Sequence, residues 1–386
     1  MNTFNSEILL NPGPVKLSQR VREALSEQDV CPRELEFAQL IQYINKKLGD
    51  VYSELSSCNY QSVLLTSSGT GAVEAMLTTF ISKDTTTLVI DNGVYGTRME
   101  RILKFSNRSY KTLKFDWEKP IEVDIIDKTL SENQEIRNLA LVHHETTTGR
   151  LNPLVEIGKV CKEHKVRVYL DAVSSFGAER ILGEEINLAA LAATANKCLH
   201  GAPGISFVSA HPDLWSDIQS EPSSVYLNLF DYFHSQYLDG FSPFTQATHI
   251  AFAFKAALDE FFDSGGWYER NRLFDFRAKK IADTLSKLGI KTLLPTVDYS
   301  SVLYSYILPA GVSYTELHDF LKKNGFEERW QINNNFSIEL EPKINEYIGN
   351  PEISKILSYV VVFIVFIFIG GILIKFISKI IKWSRN

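Results

Sequence analysis

Short apolar runs that break into polar clusters punctuate the first two hundred residues. Residues 64–80 (LLTSSGTGAVEAMLTTF) read as a strand end, a small-residue turn and a helix, and residues 86–96 (TTLVIDNGVYG) as a strand and a turn. Residues 137–149 (RNLALVHHETTTG) and 166–177 (VRVYLDAVSSFG) each carry an apolar run into polar residues, as strands buried on both faces do. Residues 188–210 (LAALAATANKCLHGAPGISFVSA) read as a helix or strand, a loop and a strand. Helical spacing fills 15–50, and 247–264 (ATHIAFAFKAALDEFFDS) reads as one long helix. Strands separated by helices predict an α/β fold, a mostly parallel sheet with helices on both faces. Ligands in such sheets bind at the carboxyl ends of the strands. Each polar cluster follows its strand, so Ser68, Tyr95, Thr146, Asp171 and Lys197 are expected at one crevice.

The chain has 386 residues, enough for two lobes. The pattern divides it into an N-terminal arm (1–20), a large domain (21–255), a smaller α+β domain (256–330), a polar linker with an Asn triplet (331–353) and a tail (354–386). The tail contains 19 uncharged residues, Ile356–Ile374, about 28 Å as a helix and close to the hydrocarbon thickness of a bilayer. A transmembrane helix over 356–374, with a cytoplasmic body ahead of it, is the expectation there; a buried core helix is the alternative. The formal charge is −6 overall, and the basic tail leaves the body more acidic still, which argues against a nucleic-acid partner. Cys31, Cys58, Cys161 and Cys198 show no CxxC spacing, and the N-terminus carries no secretory pattern, so a reducing compartment is expected. His143, His144, His200 and His249 show no metal-site spacing, and no metal is expected.

Three features carry chemistry. Ser67-Ser-Gly-Thr-Gly is a small-residue turn opening a helix, suited to an anion held by backbone N–H groups and hydroxyls. It lacks the third glycine of a dinucleotide fingerprint and the Lys-Ser/Thr of a P-loop. Asp171 ends a strand, where a carboxylate caps a helix, pairs with a cation or holds a protonated ring nitrogen. Lys197 lies among small apolar residues, and a desolvated amine suits imine chemistry.

The anion turn, the strand-end aspartate about 100 residues on and the lysine 26 residues later stand in the order of pyridoxal-5′-phosphate (PLP) aminotransferases. The chain resembles the class V aminotransferases, and among them the 2-aminoethylphosphonate–pyruvate branch. The resemblance rests on LLNPGP (9–14), LLTSSGTGAVEAML (64–77), DNGVYGTRM (91–99), VHHETTTGRLNP (142–153), DAVSSFGA (171–178) and ANKCLHGAPGISFV (195–208), and covers roughly 8–325. It implies a fold type I PLP enzyme, a homodimer with shared sites. Lys197 would hold the cofactor as a Schiff base and shuttle a proton, and Asp171 would pair with the ring nitrogen. Ser68, Gly69 and Thr70 would bind the phosphate, Tyr95 would stack on the ring, and Thr146 would lie by the ring hydroxyl. Thr245 would reach the phosphate of the neighbouring subunit, although Ala247 stands where the family has proline. Arg33 is a candidate substrate contact. The implied reaction passes the amino group of 2-aminoethylphosphonate to pyruvate. The chain departs from the family after Gly325-Phe326, where a strand with a carboxylate-binding arginine should follow; after Arg329 the next arginine is Arg385. Alternatives are an alanine/serine–glyoxylate type of class V enzyme, or a membrane-tethered protein that has lost amino transfer.

Overall fold

In the computed structural model the described residues are 8–9, 13–216, 222–309, 313–323, 326–327 and 362–366. Seven strands form the main sheet: β1 (Gln61–Leu65), β2 (Thr86–Asp91), β3 (Tyr110–Lys114), β4 (Ile136–Val142), β5 (Arg167–Asp171), β6 (Leu188–Thr194) and β7 (Ser206–Ala210). Their order across the sheet is β1-β7-β6-β5-β4-β2-β3. β7 pairs antiparallel with both neighbours, while β6, β5, β4, β2 and β3 are mutually parallel. Six of the seven strands therefore deliver their carboxyl ends to one edge.

Alternate residues of these strands feed two cores. Leu88, Ile90, Leu139, Leu141, Val168 and Leu170 pack into one, and Val89, Ala140, Val142, Tyr169, Ala190 and Ala192 into the other. Helix α1 (Gly69–Phe80) follows β1, and α2 (Val94–Phe105) follows β2. β6 resolves the helix-or-strand ambiguity of the alanine-rich run. Burial at all seven of its positions between β5 and β7 supplies what the weak strand preference of alanine does not.

Beyond the sheet lie α3 (Thr248–Asp263) and α4 (Gly266–Lys287), then strand β8 (Leu303–Ile307) and α5 (Tyr314–Lys323). The membrane-helix expectation is corrected here. Among the residues of 356–374 that the structure describes, Val362–Phe366 form a strand, β9, antiparallel to β8. The run VFIVF is β-branched and aromatic, and the edge of β8 offers unpaired backbone groups. Among the described residues no helix is long and apolar enough to cross a membrane. The rest of 356–374, the 331–353 linker and Arg329 lie outside the described residues. A two-residue strand, Ile8–Leu9, pairs in parallel with Phe326–Glu327, joining the N-terminal arm to the segment after α5.

Candidate active site

The carboxyl edge of the sheet gathers the residues singled out by sequence. After β1 the chain turns at Ser67 and Ser68 into α1, and the Ser68 side chain caps the helix by accepting from Gly71 N. The turn needs its glycines: a Cβ on Gly69 would lie 2.9 Å from both γ-carbons of Val173, and one on Gly71 would lie 1.9 Å from Ser67 Oγ. Ser68 and Thr70 stay exposed while Gly69 is buried. The result is a helix N-terminus with two exposed hydroxyl residues, suited to receive a phosphate.

Asp171 closes β5, is 6% exposed, and accepts from Val173 N at 3.0 Å. Burial pushes its carboxyl up to about 6, and the charges of Arg98 and Lys197 pull the other way only partly. A buried carboxylate in that condition is relieved by a proton-bearing partner, which the ring nitrogen of PLP supplies. Lys197 follows β6 and is partly accessible. Desolvation lowers its amine to about 8, with the Arg98 charge acting in the same direction, so a far larger share is neutral near physiological pH than for an ordinary lysine, although the protonated form still predominates.

Thr146 is buried, and its hydroxyl faces the Tyr95 phenol without reaching hydrogen-bond geometry; its Oγ1 has no partner among the described residues. An orphaned buried hydroxyl is the feature a cofactor oxygen would satisfy. Tyr95 lies in the first turn of α2, its phenol raised by burial. Together the open anion turn, the Asp171 carboxylate, the depressed lysine and the Thr146 hydroxyl fit PLP.

Two expected residues stand apart. Thr245 is exposed; its neighbours Gln246 and Ala247 dock on Thr66, with Thr66 Oγ1 donating to Gln246 Oε1 at 3.1 Å and accepting from Ala247 N at 3.0 Å. Arg33 is also exposed, and its guanidinium reaches the Pro243 carbonyl at 3.5 Å, beside the Thr245 loop.

Three further residues lie at the candidate site: Glu145 and Arg98, which were not singled out from sequence, and His144, read there only as lacking metal-site spacing. Glu145 is fully buried and raised by burial to about 7. Its carboxylate accepts from Tyr95 N (3.2 Å), Thr147 N (3.1 Å) and Thr147 Oγ1 (2.5 Å), so it caps α2 from another element and fixes where Tyr95 stands. His144 is buried, bonds the Ser174 carbonyl through Nδ1 at 3.0 Å, and is lowered to about 4, chiefly by burial, and so stays neutral. Arg98 sits three residues after Tyr95 on α2, with its guanidinium 4.7 Å from the Tyr95 ring centroid and donating to Thr70 Oγ1 at 3.1 Å. The i, i+3 spacing of Tyr95 and Arg98 was the available signal, because it puts both on one helix face.

Residues 23–259 match the family model described as aminotransferase class-V. The chain is 34% identical over 324 residues to a 2-aminoethylphosphonate–pyruvate transaminase of Pseudomonas putida F1, covering 83% of this chain and 87% of that one. It is 34% identical over 325 residues to a bifunctional phosphonoacetaldehyde hydrolase/aminoethylphosphonate transaminase of Clostridioides difficile, covering 83% of this chain and about half, 51%, of that longer protein. Among solved structures, an aspartate aminotransferase of subgroup IV from Thermus thermophilus superposes with a TM-score of 0.81 at 20% identity, over 98% of this chain and 99% of the other, a likeness of fold. The chain belongs to the class V aminotransferase family and has the PLP-dependent aminotransferase fold. Its cofactor is pyridoxal 5′-phosphate.

Proposed function

We propose that this chain transfers the amino group of 2-aminoethylphosphonate to pyruvate, yielding phosphonoacetaldehyde and alanine. The observation that carries the reading is the buried Asp171 carboxylate beside the depressed Lys197 amine, in a chain whose relatives are named for this reaction. When bound, the cofactor supplies an electron sink for the carbon that loses its proton. Lys197 holds the cofactor covalently and, once released from it, Nζ takes the donor's Cα proton and hands it on. Asp171 keeps the ring nitrogen protonated. Ser68, Gly69 and Thr70 hold the phosphate at the amino end of α1, Tyr95 supports the ring, and the Thr146 hydroxyl takes the ring oxygen. Thr245 completes the phosphate site of a neighbouring subunit in a homodimer, in keeping with its exposed position on a loop anchored by its neighbours. Arg33 is the proposed substrate contact. The two-lobe division is retained, with the large domain at 21–255 and the smaller one at 256–330.

A second reading is favoured by one observation: the family's carboxylate-binding arginine motif has no counterpart after Phe326. On that reading the chain loads PLP yet fails to hand the amino group on, because lysine replaces a bidentate arginine poorly. Phosphorus NMR of the full chain with PLP, 2-aminoethylphosphonate and pyruvate separates the two. Pyruvate-dependent conversion of the phosphonate, with alanine formed in equal amount, is the expected result. No conversion by a protein that holds PLP would overturn the first reading in favour of the second.

A further inference from the structure

We propose that Arg98 is a dianion-recognition residue of this site: it binds a tetrahedral phosphoryl-type dianion, either the cofactor's phosphate or the phosphonate of the amino donor. The placement carries the inference. The Arg98 guanidinium donates to the Thr70 hydroxyl at 3.1 Å, and Thr70 is in the first turn of α1, where the helix dipole is positive. The same guanidinium lies over the Tyr95 ring at 4.7 Å, which holds the planar group against an aromatic face. Arg98 is half-buried, and its charge acts on both the Asp171 carboxyl and the Lys197 amine. A helix N-terminus and an arginine thus stand side by side, and the charges of Arg98 and Lys197 both lower the Asp171 carboxyl. A guanidinium beside a helix N-terminus favours an anion carrying more than one charge. A planar fork of N–H donors matches the oxygens of a tetrahedral oxyanion two at a time, which a point-charge lysine does not.

Both candidate dianions have the same chemistry, and the cofactor arm does not depend on the aminophosphonate reading, whereas the substrate arm rests on it. The test compares the full-length parent with Arg98→Met and Arg98→Lys. Three quantities are measured: PLP dissociation from the cofactor-free protein by tryptophan fluorescence, the shift of its melting temperature by inorganic phosphate, and 2-aminoethylphosphonate dissociation from the loaded protein by absorbance titration. Loss of a charge-assisted pair predicts weakening of about 10- to 100-fold in Arg98→Met, partly recovered in Arg98→Lys. Weakened PLP binding with loss of the phosphate-induced melting shift assigns the cofactor's phosphate. Weakened phosphonate binding alone assigns the amino donor. Arg98→Met with all measurable affinities within twofold of the parent overturns the proposal. A parent that ignores 2-aminoethylphosphonate sinks the substrate reading, while the PLP and phosphate measurements still decide Arg98. If Arg98→Met does not fold, Arg98→Lys is decisive: a several-fold weakening supports the bidentate role, and parent-like binding rejects it.

Discussion

In the proposed mechanism Lys197 is the residue on which the chemistry turns, and its environment makes a pH prediction. Only the neutral amine attacks an aldehyde, and burial brings the Lys197 amine from the ordinary 10.5 down to about 8. The rate at which cofactor-free protein captures PLP should therefore climb from pH 6, reach half its maximum near 8 and level off above it. An uncaptured or unperturbed lysine would still be gaining rate at pH 10, and that profile in stopped-flow absorbance would contradict the burial argument. At Asp171, Asp171→Asn preserves size and the contact with Val173 N but cannot hold the ring proton as a charge. Its kcat should fall about 100-fold or more with PLP still bound; parent-like turnover would remove Asp171 from the mechanism. These two positions were singled out from the sequence because each follows an apolar strand in a definite order. Glu145 and Arg98 were not. Glu145 acts by capping a helix that begins 51 positions earlier in the chain, and that pairing exists only once β2 and β4 lie side by side.

Among the elements, the N-terminal arm bears most directly on the site. Gly13 lies against Lys197, the proposed catalytic lysine: a Cβ there would be 2.7 Å from Lys197 Cδ and 2.8 Å from the Asn196 carbonyl oxygen. Its φ of +150° also disfavours any side chain. Gly13→Ala should push the lysine aside and lower kcat by about 100-fold, since small misplacements at a reacting group are costly. Normal kcat in this variant would mean that the arm yields without disturbing Lys197. The strand-and-helix alternation read from sequence is present in β1, β2, β4, β5, α1 and α2. β3 escaped notice because it is a half-exposed edge strand, with a burial pattern too weak to announce period-2 alternation. The apolar run near the C-terminus was misjudged for a different reason. Length and hydropathy cannot tell a membrane helix from chain that contributes a strand, and Val362–Phe366 meets the open edge of β8.

At the scale of the whole molecule, the loop that carries Thr146 is fastened to the residues around β8. Arg150, 2% exposed, pairs with Asp298 at 3.0 Å and donates to the Glu118 carbonyl at 2.8 Å. Ser300 N donates to the Gly149 carbonyl, and Ser305 Oγ to that of Thr148. Glu179, after β5, accepts from Ser300 Oγ, Ser301 Oγ and Ser301 N. The loop is thus tied to the 298–305 segment largely through its own backbone carbonyls. Removing one partner of a buried pair leaves an uncompensated charge, so Arg150→Ala should cost about 3 kcal/mol in urea unfolding. An unchanged midpoint would show that the 298–305 segment is held without it.

The most direct test of the central claim is an absorbance spectrum of the purified full chain, taken alone, after 2-aminoethylphosphonate, and again after pyruvate. The predicted result is a visible cofactor band that Lys197→Ala lacks, that bleaches with the phosphonate and that returns with pyruvate. A protein with no such band, indistinguishable from Lys197→Ala under all three conditions, would contradict the assignment of Lys197 and with it the proposed reaction.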